Sequence, residues 1–167
     1  GSGKGTIAEQ PVIRPAGKTI FVRTDLLEAE ISSIGGDISR LALLEHPDGE
    51  DKSKPLVLFH RGEGTHNYVA QSGLLGEGLP NHNSPFASEQ DRYELSGNAD
   101  RVQVRLKAVD GSALKATKVI TFHKGSYMVD ITHEIENTGK KTVTASGYFQ
   151  LVRDSLAPKG SSMFLPT

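Results

Sequence analysis

The sequence contains no cysteine and no tryptophan. The first absence removes disulfides, thiolate catalysis, Cys-ligated zinc and iron–sulfur clusters together. It leaves the cellular compartment open. The second, with only four Tyr and six Phe in 167 residues, leaves few ring faces for stacking a sugar and weakens a carbohydrate-processing role. No apolar run exceeds four residues, the longest being Leu41 to Leu44 and Leu56 to Phe59. A membrane-spanning helix needs about 20, so no segment reads as one. No charge sign dominates either. Nineteen basic residues stand against twenty acidic ones, so there is no electrostatic footprint for nucleic acid.

The charged fraction of 23% is close to the roughly 25% of globular chains, which argues for a folded core. The length suits one domain of about 100–200 residues. Glycine is in excess, at 18 of 167 or about 11% against a usual ~7%. Scattered glycines between short apolar stretches indicate many tight turns and an all-β chain.

Residues 1–17 read as a flexible tail or an added remnant. Gly1-Ser2-Gly3-Lys4-Gly5 is flexible by composition, and Pro11, Pro15 and Gly17 interrupt regular structure. Residues 18–167 read as the domain. Ile20 and Val22 share one face of a first strand, and Leu27, Ala29 and Ile31 one face of a second. Gly35-Gly36-Asp37 reads as a turn. A third strand over Ile38 to Leu44 places Ile38 and Leu44 on one face and Leu41 and Leu43 on the other. Leu56 to Phe59 reads as a short, mostly buried strand, and Tyr68 to Gln71 reads as another short strand. Residues 72–90, with five Gly or Pro and no period, read as a long surface loop of the kind that is functional or mobile.

In the C-terminal part, Val102, Val104, Leu106 and Ala108 alternate with Arg101, Gln103, Arg105 and Lys107. Asp110-Gly111 is a strong hairpin signal. Leu114, Ala116, Ile120 and Phe122 share the return strand's inner face. Val129, Ile131 and Ile135 follow after Lys124-Gly125, and Val143, Ala145, Phe149 and Leu151 after Asn137-Thr138-Gly139. Residues 101–153 are thus expected to form a four-stranded antiparallel meander. About ten strands overall point to a sandwich.

The candidate site residues are few. The six histidines are His46, His60, His66, His82, His123 and His133, and none has the i, i+4 spacing of a helical metal site. His123 and His133 flank one hairpin and are placed to approach as a metal pair or general base. The simpler reading is two unrelated strand histidines, because zinc takes three or four ligands. Glu134 and Glu136 share a strand face, as paired carboxylates of glycoside chemistry would. The simpler reading is a solvated face opposite Arg105 and Lys107. Gly35-Gly36-Asp37 and the glycines at 73–78 match no phosphate-loop spacing. No catalytic residue, metal ligand or cofactor site is therefore named, and the ligand-binding residues stay unknown.

Five stretches in order carry a resemblance. They are Thr24-Asp25-Leu26-Leu27 through Ile34-Gly35-Gly36-Asp37-Ile38, then Gln71-Ser72-Gly73-Leu74-Leu75-Gly76. Lys124-Gly125-Ser126-Tyr127-Met128-Val129-Asp130, Ile135-Glu136-Asn137-Thr138-Gly139 and Gly160-Ser161-Ser162-Met163-Phe164 follow. In that order and spacing, from Lys18 to Leu165, the chain resembles the large periplasmic domain of the YidC family of bacterial inner-membrane protein insertases. The resemblance implies an antiparallel β-supersandwich similar to galactose mutarotase-like sugar-binding folds, incomplete in this chain. It implies a periplasmic position beside the inner membrane of Gram-negative bacteria and no enzymatic activity. The implied partners are the SecD–SecF accessory complex and the Sec translocon. Nascent membrane proteins are met by transmembrane helices outside this chain. No family functional residue falls on a numbered position here. A carbohydrate- or peptide-binding sandwich is the alternative, and a mutarotase-like enzyme the remoter one.

Overall fold

The structure is a computed structural model that describes residues 17–60, 68–109 and 114–153. The tail over residues 1–16, His66, the Asp110-Gly111 turn and the Gly160-to-Phe164 motif lie outside the described residues. Eleven strands are described, and they form two facing sheets. The strands are β1 (Thr19–Arg23), β2 (Leu27–Ser32), β3 (Ile38–Pro47), β4 (Pro55–His60), β5 (Tyr68–Leu75), β6 (Phe86–Ala87), β7 (Arg92–Glu94), β8 (Arg101–Ala108), β9 (Leu114–His123), β10 (Val129–Asn137) and β11 (Ser146–Arg153). Sheet I runs β11-β5-β3-β2-β1-β7, with β4 also paired to β3. Sheet II runs β10-β9-β8-β6. Among the described residues every pairing is antiparallel except β1 with β7, which is parallel, so the sheets are antiparallel-rich as the sequence indicates.

Period-two alternation builds the core. Ile20 and Val22 of β1 and Leu27, Ala29 and Ile31 of β2 point inward from sheet I. Val104 and Leu106 of β8, with Ile120 and Phe122 of β9, answer them from sheet II. Burying each of the Val, Leu, Ile and Phe side chains contributes about 1.5–3 kcal/mol, so this inter-sheet layer is the main favourable term. Thr24 shapes the β1–β2 turn, its Oγ1 accepting from the N–H groups of Leu26 and Leu27 at 3.2 and 2.9 Å.

The β2–β3 turn needs its two glycines. Gly35 and Gly36 have φ of 76° and 60°, in the left-handed region. A Cβ on Gly36 would also lie 2.8 Å from Leu106 Cδ1 and 3.0 Å from Lys118 Cδ. After the turn, the β2–β3 register shifts between Glu30 and Ile31. The shift is a bulge, and it lets Ile38 and Leu41, three residues apart, both enter the core. The sequence pattern, which assumed strict alternation, placed them on opposite faces.

Three further expectations are corrected. Residues 101–153 do not form one four-stranded meander. Strands β8, β9 and β10 do, but β11 leaves sheet II and pairs with β5 in sheet I, from Ser146↔Leu75 to Arg153↔Tyr68. Phe149 and Leu151 lie opposite Ser72 and Ala70, on the core face of that sheet. They nevertheless stay 62% and 60% exposed rather than buried. Val143 packs on a small cluster of Leu74, Leu79 and Leu114, but neither it nor Ala145 lies in a strand. The strand over Leu56 to Phe59 is not mostly buried, with Val57 and Leu58 37% and 44% exposed.

Residues 72–90 are also more regular than a loop. β5 runs on to Leu75, and the remainder is tied down by backbone bonds. Leu74 N–H donates to Pro80 O at 3.2 Å, Gly35 N–H to Ser84 O at 2.8 Å and Phe86 N–H to Ser33 O at 2.8 Å. Gly36→Ala combines positive-φ strain with overpacking and is predicted to lower stability by about 2–4 kcal/mol, read by urea denaturation. A neutral substitution would show that the turn tolerates both.

Candidate functional site

The inner face of β9 holds an exception to its apolar pattern. Leu114, Ala116, Ile120 and Phe122 are joined by Lys118, which is fully buried at 0% exposure. Alternation alone puts it there, because it lies two residues from both Ala116 and Ile120. An ammonium at such a position requires partners. Lys118 Nζ donates to Gly35 O at 2.9 Å and to Ser72 O at 3.0 Å, so a side chain of sheet II is bonded to the backbone of β5 in sheet I and of the β2–β3 turn.

A polar chain extends from this contact through sheet I. Gln150 Nε2 of β11 donates to Gln71 Oε1 of β5 at 2.8 Å. Gln71 Nε2 donates to Asp37 Oδ2 at the entrance of β3 at 3.2 Å. Asp37, Gln71 and Ser72 are all buried. Burial pulls the Lys118 pKa down from 10.5 to about 8, and the Asp37 charge partly resists that. His133 of β10 lies directly opposite Lys118 in the strand register. Its pKa is lowered first by burial and then by the Lys118 charge. Its Nε2 is buried and has no hydrogen-bond partner.

The histidines named from sequence are dispersed. His46 Nε2 lies 3.2 Å from Tyr127 Oη, and His60 is exposed at the end of β4 opposite Arg40. His82 receives Tyr148 from across the sheet, with Nδ1 2.6 Å from Tyr148 Oη and its backbone N–H donating to the same oxygen at 3.1 Å. His123 Nε2 lies 2.6 Å from Asp130 Oδ2. His123 and His133 do not meet. His133 pairs with Lys118, five residues along β9 from His123 and so about 17 Å away at the rise of a strand.

Glu134 is held by Arg105 through both carboxylate oxygens, which lowers its pKa and raises that of the guanidinium. This is the solvated ion-pair face that the sequence favoured over an acid–base pair. Lys107 turns to Glu89 at 3.6 Å instead. The Gly35-Gly36-Asp37 turn does not cradle an anion. Its Gly35 N–H is spent on Ser84 O and its Gly35 carbonyl on Lys118. Among the described residues, no three or more His, Asp or Glu gather as a metal site.

The model of the YidC periplasmic domain family matches residues 19–167. The chain belongs to the YidC periplasmic domain family. It is 44% identical over 168 residues to a protein named membrane protein insertase YidC from Nitrosomonas europaea, covering 99% of this chain and 27% of that protein. It is 49% identical over 135 residues to the protein of the same name from Aromatoleum aromaticum, covering 81% of this chain and 24% of the relative. The corresponding figures for Nitrosospira multiformis are 42% over 170 residues, 98% and 30%. The chain thus spans less than a third of the YidC relatives it matches. No helix among the described residues is long and apolar enough to cross a membrane.

Sequence reasoning missed Lys118. The available signal was one lysine in an inward slot between Ala116 and Ile120. Its depressed pKa sets a sign for stability. Between pH 8 and 10.5 the unfolded chain binds the Lys118 proton and the folded chain has released it, so stability rises with pH across that window. Carbon-13 titration of the lysine Cε resonances is predicted to show Lys118 half-protonated near pH 8, below the other lysines. Co-titration with the surface lysines would contradict the burial argument.

Proposed function

We propose that this chain is a non-enzymatic scaffold and interaction domain on the periplasmic side of the bacterial inner membrane. It serves a parent protein that inserts and helps fold inner-membrane proteins. The reading is supported by membership of the YidC periplasmic domain family over residues 19–167. In it the parent acts alone or with the Sec translocon and the SecD–SecF complex, and nascent chains meet the remainder of the parent.

The geometric observation that carries the non-enzymatic part is the use made of Lys118. An amine with a pKa near 8 is chemically apt as a nucleophile or base. Here it is fully buried and bonded to two main-chain carbonyls, so a substrate has no approach to it. Three other candidate groups are also committed. Glu134 is bound to Arg105, His82 to Tyr148 and His123 to Asp130. Each of these contacts fixes one strand or loop against another.

A sugar-binding module is the competing class. Calorimetric titration of the purified chain with monosaccharides and oligosaccharides separates the two. No saturable heat is expected, and anomer interconversion is expected to run at the buffer rate. Saturable heat at micromolar sugar would overturn the scaffold reading in favour of a lectin-like one. Interconversion above the buffer rate would restore a mutarotase-like one.

A further inference from the structure

We propose that His133 makes the attachment of β10 to the sandwich acid-sensitive, so that its protonation opens this edge of sheet II. Three geometric facts carry this. His133 lies in register with Lys118 on the core face of the β9–β10 pair. Lys118 is fixed in place by its bonds to Gly35 O and Ser72 O, so it does not swing away. The buried Nε2 of His133 has no acceptor to take a new N–H. In the imidazolium both ring nitrogens carry a proton, so a second cation stands against the buried ammonium and the Nε2–H is an unsatisfied buried donor.

The surrounding charges leave the repulsion in place. On β9 the charged group facing His133 is Lys118. On β10 itself, Asp130, Glu134 and Glu136 occupy the alternate face, where Asp130 meets His123 and Glu134 meets Arg105. On β8, Arg105 and Lys107 also project outward, to Glu134 and Glu89. From sheet I the charged group that acts on this region is Asp37, and its field supports the charge on Lys118.

β10 is the element able to respond. Among the described residues it pairs with β9 alone. Its inward apolar residues are only partly covered, with Val129 and Ile131 half-buried and Ile135 39% exposed. An edge strand with so little burial lies at the low-stability end of the structure, where a single unfavourable contact suffices to open it. The sign follows from the lowered His133 pKa. The open form binds the proton at ordinary pH values near 6.5 and the closed form only below that, so acid favours opening.

The test is amide hydrogen exchange of the purified chain between pH 7.5 and 5, above most carboxylate titrations, with rates corrected for intrinsic exchange. The β10 opening constant is expected to rise by up to tenfold per pH unit below about 6.5. In His133→Asn that pH dependence should vanish while β8 protection keeps its wild-type course. Ring titration of His133 in the wild type, which needs no variant, is expected to fall below the ordinary histidine value. β10 opening that is flat with pH, an unchanged dependence in His133→Asn, or a His133 titrating at or above its ordinary value would each overturn the proposal.

Discussion

One cation bonded across the sandwich is the constraint that organises this structure. Lys118 carries its ammonium from sheet II to the carbonyl of Ser72 in sheet I and that of Gly35 in the β2–β3 turn. Hydrophobic burial brings two sheets together but tolerates sliding. A buried ammonium does not, because moving it by a residue strands a charge and two carbonyls in a dry core. The neighbouring features follow from that need. Gly36 has positive φ and lacks a Cβ where Lys118 passes, and Asp37 lies buried beside it in the chain. Gln71 and Gln150 carry the polar chain out to the sheet edge.

The sequence made the faces of most strands and the β8–β9–β10 hairpins legible, and the long-range partners of strands illegible. Ile20, Val22, Leu27, Ala29, Ile31, Val104, Leu106, Ile120 and Phe122 all lie in the core that alternation assigns them. Alternation carries no information on which sheet a strand joins. Phe149 and Leu151 illustrate this, for they do occupy the core face, but of the other sheet and at its exposed margin. The segment from 72 onward looked irregular because glycines and prolines weaken side-chain patterning. Its order comes from main-chain bonds such as Gly35 N–H to Ser84 O, which composition does not encode. The β3 bulge escaped for a similar reason, since one inserted residue breaks the period without a residue-type signature.

The candidate chemistry dissolved in an instructive way. His46, His82, His123 and Glu134, picked out by residue type or spacing, are local fasteners, each spent on a partner from another strand or loop, whereas the buried Nε2 of His133 has no such partner. The buried polar chain was not legible as a site, because its acceptors are main-chain atoms and its donor is a single lysine. Within this chain it holds the two sheets in fixed register, and the scaffold role proposed above draws on that rigidity.

The central claim is that the Lys118 contact locks the two sheets, and urea denaturation of Lys118→Met at pH 7 tests it most directly. Methionine nearly preserves the buried volume while removing the donor. The account predicts a loss of about 3–5 kcal/mol, since a buried charge network loses one member and two carbonyls are orphaned. Stability equal to or above that of the wild type would contradict it, and would make the hydrophobic layer alone sufficient to fix the fold.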